Sequence, residues 1–315
     1  MNRKVDIMKD VQQKIVMPKD LQKRRILFAR MNLSKKEKQH YIRLLKGYEG
    51  EKQFYHLIKN NLTTNSIFLH NLLLQSNNSL FQVDHTLIHA HTIFSFEVKN
   101  YEGEFYIDNG NWFVKSTKQE IRNPLNQLNK SDYLLRQLVK NLGHNIPVKS
   151  YLVFINRDFT LYQLPPNLPI LLRSQLNRFI QFLNKSHVPL KQEHHRLAQD
   201  LKEIQITDTF FENLPDYDFK QLRKGITCPE CCMFLSRERQ SFLLCDNCGY
   251  TETLEKGILR NVYEFHLLFP GMKITTNVIY EWCHIFRSPT TIRKVLSKHF
   301  IFIHNGPYSY YDIRP

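Results

Sequence analysis

The sequence predicts an α/β fold in which a mixed sheet is flanked by helices and followed by two small modules. Short runs with period-two alternation lie between residues 66 and 115, with helical patterns before and after them. A nearly continuous apolar run at 148–155 is typical of a strand buried on both faces. The predicted core order is therefore helix, antiparallel meander, helix and inner strand.

The composition favours a polyanionic partner. The chain has 315 residues, with 44 Lys and Arg against 29 Asp and Glu, which gives a net charge of +15. Nucleic acid is the default partner for such an excess, although a generally basic proteome would also explain it. No apolar run reaches membrane-spanning length and no signal-peptide pattern opens the chain. We therefore expect a soluble cytoplasmic protein without a membrane partner, associated with the nucleoid when bound to DNA. A homodimer is left open.

Residues 1–45 are predicted to form a basic N-terminal arm or helix. Residues 1–46 hold 14 Lys and Arg against 4 Asp and Glu, a net +10. Within this segment Arg24 and Arg25 are candidate phosphate contacts, and a solvated, partly flexible arm is the alternative. The run Ser34-Lys-Lys-Glu37 is a capping box. It predicts a helix that continues to about residue 62.

The meander and the helix after it follow from local signals. The strand-like runs are 66–74, 80–88, 92–99, 104–107 and 112–115. The run Asp108-Asn-Gly-Asn111 predicts a tight hairpin, because Asn-Gly tolerates positive φ angles. Asn123 is a candidate cap, and Pro124 fits the first position of a helix that runs to about Leu142.

A candidate site lies in the run 94–99. Alternation places Glu97 and Lys99 on one face of a strand and the apolar side chains of the run on the other. A carboxylate and an ammonium on one face suit a metal-dependent hydrolase. A solvated ion pair would give the same two residues. Asp84, however, lies in another apolar strand, where a carboxylate is costly unless it is paired or binds a metal.

Six positions resemble the motifs of the NERD (nuclease-related) domain, a branch of the PD-(D/E)XK nuclease superfamily. The matching motifs are Gly-x-x-Gly-Glu, a strand Asp, Glu-x-Lys-Asn with a following Gly, a Trp and Asn-Pro-x-x-Gln. In this sequence the positions that match these motifs are Glu51, Asp84, Glu97, Lys99, Trp112 and Gln127. Glu51 is chosen over Glu49 because it directly follows Gly50. The resemblance covers about residues 45–185 and implies a restriction-endonuclease-like sheet. Gln127, on the first turn of its helix, would orient a water or a phosphate.

The same resemblance implies the roles of the other site residues. Asp84 and Glu97 would hold Mg²⁺ or Mn²⁺, together with the backbone carbonyl of Val98. Lys99 would position or polarise the attacking water. Glu51 would extend the carboxylate cluster or hold Lys99. The product would be a cleaved phosphodiester.

Two Cys-x-x-Cys pairs form a second motif. Their members are Cys228, Cys231, Cys245 and Cys248. Four thiolates at this spacing predict a closed tetrahedral Zn²⁺ site of structural type, and the segment resembles a zinc ribbon. Cys232 breaks the spacing and is left as a spare thiol. Cys283 is expected in the core.

The C-terminal segment predicts three helices and a hairpin. The helices are 258–268, 276–286 and 290–299, and the hairpin strands are 300–304 and 308–313. The order resembles a winged helix-turn-helix, whose third helix enters a DNA groove. The candidate nucleic-acid contacts on that helix are Thr291, Arg293, Lys294 and Lys298. A small packing or dimerisation module is the alternative.

Together these signals predict five segments. They are the basic arm at 1–45, the nuclease-like domain at 46–186, a helical linker at 187–224, the zinc ribbon at 225–255 and the winged-helix-like module at 256–315. The leading hypothesis is a divalent-metal-dependent nuclease that hydrolyses DNA. The alternative is a non-catalytic DNA-binding regulator or scaffold that uses the nuclease fold as a platform. The intact acidic and basic set argues against the alternative.

Overall fold

The chain divides into two compact units. The computed structural model describes residues 15–186, 188–206, 213–239, 241–284 and 288–313, and for 237–239 it describes the backbone alone. Of these, residues 15–16 and 45–206 belong to the first unit, and residues 17–44 and 213–313 belong to the second. The predicted basic arm therefore belongs with the C-terminal segments, and its residues 1–14 lie outside the described part.

Eight α-helices occur in the described residues. They are α1 (Lys19–Arg30), α2 (Lys35–Asn61), α3 (Leu125–Asn141), α4 (Leu176–Asn184), α5 (Gln192–Glu203), α6 (Leu254–Leu268), α7 (Thr276–Cys283) and α8 (Thr290–His299), with a 3₁₀ turn at Arg173–Gln175. The capping box that starts α2 is confirmed. The backbone N–H of Ser34 donates to Glu37 Oε2 at 2.7 Å, and the N–H of Glu37 donates to Ser34 Oγ at 3.2 Å.

The main sheet of the first unit has the order β1-β2-β3-β7-β9. Its strands are β1 (Ser66–Ser76), β2 (Ser79–His89), β3 (Thr92–Lys99), β7 (Val148–Phe154) and β9 (Ile170–Leu172). β1, β2 and β3 form the predicted antiparallel meander, whereas β3, β7 and β9 are parallel. The second half of β7 is fully buried, as its apolar run predicts.

A second sheet has the order β6-β5-β4-β8. Its strands are β4 (Gly103–Asp108), β5 (Asn111–Val114), β6 (Glu120–Ile121) and β8 (Phe159–Tyr162). The hairpin between β4 and β5 closes with Asn109 at φ 46° and Gly110 at φ 81°. Positive φ at both central residues is the geometry that Asn-Gly favours.

Helices cover both faces of the main sheet. Phe54 and Ile58 of α2 and Ile180 of α4 pack with Phe96 on one face. On the other face, helices α3 and α5 pack against β1, β2 and the start of β3. Helix α5 falls within the segment predicted as a linker. It instead completes the core of the first unit, because one stripe of its side chains (Leu197, Ala198 and Leu201) is buried there.

The predicted basic arm is a structural element of the second unit. Ile26 and Leu27 of α1 are buried in the core of that unit. Arg30 has no exposed surface and donates to the carbonyls of Arg223 and Gly225 at 2.9 Å, with its guanidinium 3.8 Å from the ring centroid of Trp282. Charge counting offered phosphate contacts or a solvated arm for this segment, because it takes no account of such buried partners.

The rest of the second unit follows the predicted order. A three-stranded sheet of β10 (Ser236–Arg239), β11 (Phe242–Leu244) and β12 (Thr251–Thr253) precedes α6, and the hairpin of β13 (Ile301–Ile303) and β14 (Tyr310–Asp312) follows α8. Ile274 forms a bridge with Tyr311 of the hairpin. Helix α7 ends at Cys283, and 285–286 of the predicted helix 276–286 lie outside the described residues. The winged-helix assignment remains a prediction.

Within the described chain, we find no helix that combines the length and the apolar character needed to cross a membrane.

Candidate active site

The site begins where β3 leaves the sheet. The apolar side chains of the run 94–98 face the α2 side of the core, as alternation predicts. Glu97 points away from them and is only 3% exposed. In the parallel pairing, Glu97 lies beside Leu152 and Lys99 beside Phe154, both on the buried half of β7. The rigid inner strand therefore fixes the backbone of Glu97 and Lys99.

Asp84 joins this site because the pairing of β2 with β3 stops at His85, the residue next to Asp84. The last register pair is His85 with Phe96. Beyond it, Asp84 Oδ2 accepts a hydrogen bond of 2.8 Å from the backbone N–H of Val98. The carboxylate thus satisfies a donor that the ladder leaves unpaired, and this contact holds Asp84 beside Glu97.

The ammonium of Lys99 lies between two side chains. Lys99 Nζ donates to Glu97 Oε1 at 2.7 Å and to Gln127 Oε1 at 2.9 Å. Gln127 stands on the first turn of α3, where the N–H of Leu125 donates to Asn123 Oδ1 at 2.9 Å. Among the described residues, Glu97 and Gln127 rather than Glu51 are therefore the hydrogen-bond partners of Lys99.

Glu51 approaches the site from helix α2, and Gly50 allows that approach. A Cβ on Gly50 would lie 2.6 Å from the Cβ of Asn100 and 3.3 Å from Cγ2 of Ile155. Side chains do not approach so closely, so only glycine lets the helix backbone reach the ends of β3 and β7. This contact is the physical reason for the second glycine of Gly-x-x-Gly-Glu.

The residue that sequence reasoning did not find is His85. Its Nε2 lies 3.1 Å from the carbonyl oxygen of Glu51. Burial, followed by the nearby His70, lowers the pKa of His85 to about 3, so the ring is neutral. A carbonyl only accepts, so Nε2 carries the proton and donates. This hydrogen bond therefore connects α2 to β2 at the site. In the sequence, only the position of His85 directly after Asp84 indicated that it lies near the site.

The site holds more negative charge than its own residues neutralise. Burial, and then repulsion by Glu97, raises the pKa of Glu51 to about 7. Burial, and then repulsion by Glu97, also raises the pKa of Asp84 well above its ordinary value. Burial also raises the pKa of Glu97, although Lys99 offsets part of the rise. Burial lowers the pKa of Lys99, but Glu97 outweighs it and keeps the ammonium protonated.

Comparison with known proteins identifies the family of the segment that carries this site. Residues 46–155 match the family model described as NERD, nuclease-related domain. This chain contains a nuclease-related domain. No curated protein and no solved structure matches the chain. The matched range holds every residue of the candidate site, from Glu51 to Gln127.

The remaining motif residue of the NERD domain is structural. Trp112 is 1% exposed, and its ring stacks on Phe154 with centroids 5.9 Å apart. Phe154 in turn pairs with Lys99 in the β3–β7 register. Trp112 therefore supports the strand end that positions the site.

The four cysteines form a candidate metal site. Their sulfur atoms all lie within 4.8 Å of one another, and they are the one group of three or more such ligands among the described residues. Cys228 Sγ lies 3.6 Å from Cys248 Sγ, and Cys231 Sγ lies 3.3 Å from Cys245 Sγ. This arrangement is compatible with a zinc ribbon. Glu51, Asp84 and Glu97 do not form a second group of this kind in this structure.

Two of the predicted phosphate contacts have other partners inside the second unit. Arg24 is 8% exposed, and its Nε donates to Asp20 at 2.8 Å. Arg25 Nε donates to the spare thiol of Cys232 at 3.3 Å. These contacts give both guanidinium groups a structural role, and we leave both out of the proposed nucleic-acid surface.

The predicted contacts on α8 lie on its outer side. Arg293, Lys294 and Lys298 are exposed and Thr291 is half-buried, while Ile292, Val295 and Leu296 are buried. Lys298 Nζ forms an ion pair of 2.7 Å with Glu255.

Proposed function

We propose that the NERD domain is a divalent-metal-dependent nuclease that hydrolyses DNA phosphodiester bonds. The observation that carries this proposal is the convergence of Glu51, Asp84 and Glu97 beside a single lysine. Burial raises the pKa of all three carboxyl groups, and repulsion by Glu97 adds to the rise for Glu51 and Asp84. Such a cluster is costly in a fold unless a cation compensates it.

The side chains present fit Mg²⁺ or Mn²⁺. Carboxylate and carbonyl oxygens are the ligands that these ions prefer. Asp84 and Glu97 each use one oxygen in a hydrogen bond, with Val98 N and Lys99 Nζ. The other oxygen of each has no hydrogen-bond partner among the described residues and would hold the ion. When bound, the ion polarises the phosphate and lowers the pKa of a water.

The chain's own groups would do the rest. Protonated Lys99 would stabilise the negative charge that develops on the phosphoryl oxygens. Gln127 would hold the ammonium in place, and Glu51 would extend the carboxylate cluster. Water would add across one P–O ester bond, leaving a phosphomonoester on one fragment and a hydroxyl on the other.

The test is a nuclease assay on plasmid and linear DNA with added Mg²⁺ or Mn²⁺. We expect cleavage that stops in EDTA and is abolished by Glu97→Ala. Glu120→Ala is the matched control, because Glu120 is an exposed carboxylate on β6 outside the site. DNA binding without cleavage under all these conditions would favour the non-catalytic regulator instead.

In the second unit, we propose that the outer side of α8 contacts DNA phosphates. Arg293→Ala with Lys294→Ala should weaken duplex binding and flatten the plot of log affinity against log salt by about 0.9 per lost contact. Fluorescence anisotropy without added Mg²⁺ or Mn²⁺, and without chelator, measures both quantities. Lys36→Ala with Lys220→Ala is the control, since both lysines are exposed in the same unit but off α8. Equal slopes in the two double variants would assign duplex binding to another surface.

A further inference from the structure

A second concave feature of the NERD domain lies along the flank of helix α2. It has a volume of about 660 Å³, and one wall is the stripe of α2 that carries Lys52, Gln53 and His56. The lining also includes Arg157, in the segment after β7, and Arg173, in the 3₁₀ turn. We call this feature the α2 groove.

The α2 groove borders the candidate active site through backbone contacts. Asn100, which lines the groove, directly follows Lys99. Ile155, also in its lining, donates its N–H to the carbonyl of Lys99 at 3.1 Å. Gly50 brings α2 against these same two residues. The groove therefore begins at the strand end that holds the active-site lysine.

The cations of the groove have no internal partners. Lys52, Arg157 and Arg173 form no ion pair or side-chain hydrogen bond among the described residues. Glu49 and Asp158 also line the groove, so the Lys, Arg, Asp and Glu side chains of its described lining sum to a net charge of +1. These carboxylates leave the three cations unpaired, although other lysines of the domain are paired: Lys46 with Glu102 and Lys115 with Glu104.

The rest of the lining is rich in side-chain amides. Besides Gln53 and Asn100, it includes Asn60, Asn61 and Asn156. Cations and amides are the groups that contact phosphate and sugar oxygens without reading sequence. Among the described residues that line the groove there is no Phe, Tyr or Trp on which a base could stack, so their chemistry suits a backbone rather than bases.

We infer that the α2 groove binds the sugar–phosphate backbone of the strand that the neighbouring site cleaves, on one side of the scissile phosphate. The inference rests on the proposed nuclease function. Its substrate is therefore a polynucleotide strand that extends several nucleotides past the cleaved bond.

The test measures binding of fluorescein-labelled oligothymidylate by the full chain without added Mg²⁺ or Mn²⁺ and without chelator, over a series of salt concentrations. Arg157→Ala with Arg173→Ala should raise the dissociation constant about tenfold and flatten the log–log salt slope by about 1.4, because a single strand gives about 0.7 per phosphate contact. The pair is also made in the Arg293→Ala, Lys294→Ala background, so that contacts of the second unit cannot mask the effect.

Lys140→Ala with Arg178→Ala is the matched control. Both side chains are exposed in the same unit and neither lines the groove. In cleavage assays with metal, the groove variant should raise KM for the oligonucleotide far more than it lowers kcat. A dissociation constant and slope equal to those of the control would overturn the inference. Groove-dependent binding in a protein that never cleaves DNA would instead refute the nuclease proposal alone.

Discussion

Replacing Lys99 by Ala should lower the rate of DNA cleavage by about 10² or more, the loss typical of one preorganised electrostatic group. The ammonium is held between Glu97 and Gln127 and stays protonated. Its removal leaves both carboxylates that would hold the ion, so metal binding should survive. Single-turnover cleavage measures the rate, and titration calorimetry with Mn²⁺ measures the metal affinity. Lys140→Ala, an exposed lysine on α3, serves as the control.

Asp84→Asn, unlike Lys99→Ala, should impair metal binding as well as cleavage. It should lose both metal affinity and cleavage, while DNA binding persists because the substitution removes no positive charge. The variant should not be less stable than the wild type without metal, because repulsion and burial already hold the pKa of Asp84 far above its ordinary value. Thermal melting in EDTA gives this second readout. Full activity of the Asp84→Asn, Lys99→Ala double variant, or equal activity in EDTA, would remove the site named here.

Removing zinc should unfold the second unit rather than the ribbon alone. Cys228 and Cys245 are each 1% exposed and belong to the same core as Leu27 of α1, Ile258 of α6 and Trp282 of α7. Zinc binding to such sites contributes on the order of 10 kcal/mol to folding. We expect one zinc per chain, and loss of one thermal transition on chelation or in Cys245→Ser.

The neighbouring cysteine gives the control for that experiment. Cys232 adjoins Cys231 in sequence, but its thiol accepts from Arg25 instead of joining the cluster. Cys232→Ala should therefore keep one zinc per chain and both thermal transitions. Purified protein without zinc, prepared under reducing conditions without chelator, would contradict the assignment of the four-cysteine site.

Elements whose signals lie within a few residues were predictable from the sequence. β3 and α8 have the bounds that the patterns predict, Thr92–Lys99 and Thr290–His299. The capping box at Ser34 and Glu37 forms both of its hydrogen bonds. The periodicity of β3 also predicted which face carries Glu97. In each case adjacent residues supply the partners, so local propensity and burial favour the same conformation.

Elements that depend on distant partners were not predictable in the same way. The basic composition of residues 1–45 predicted an arm that contacts phosphates or is solvated, yet Arg30 donates to carbonyls almost two hundred residues away and is buried against Trp282. Helix α5 was assigned to a linker because its apolar stripe does not reveal the surface that it covers. Burial of a charged or amphipathic segment is decided by partners that have no regular spacing in the sequence.

The sequence by itself determined the chemical identity of both candidate sites: the acidic and basic residues of the NERD motifs and the four cysteines at metal-ligand spacing. The tertiary structure alone decided how the first set meets. Parallel pairing of β3 with β7, the early end of the β2–β3 ladder and the close approach of α2 at Gly50 bring Glu51 and Asp84 to Glu97 and Lys99. The sequence specifies the residue types. Which of them meet depends on which surfaces are buried together, and the packing of the sheet and helices determines those surfaces.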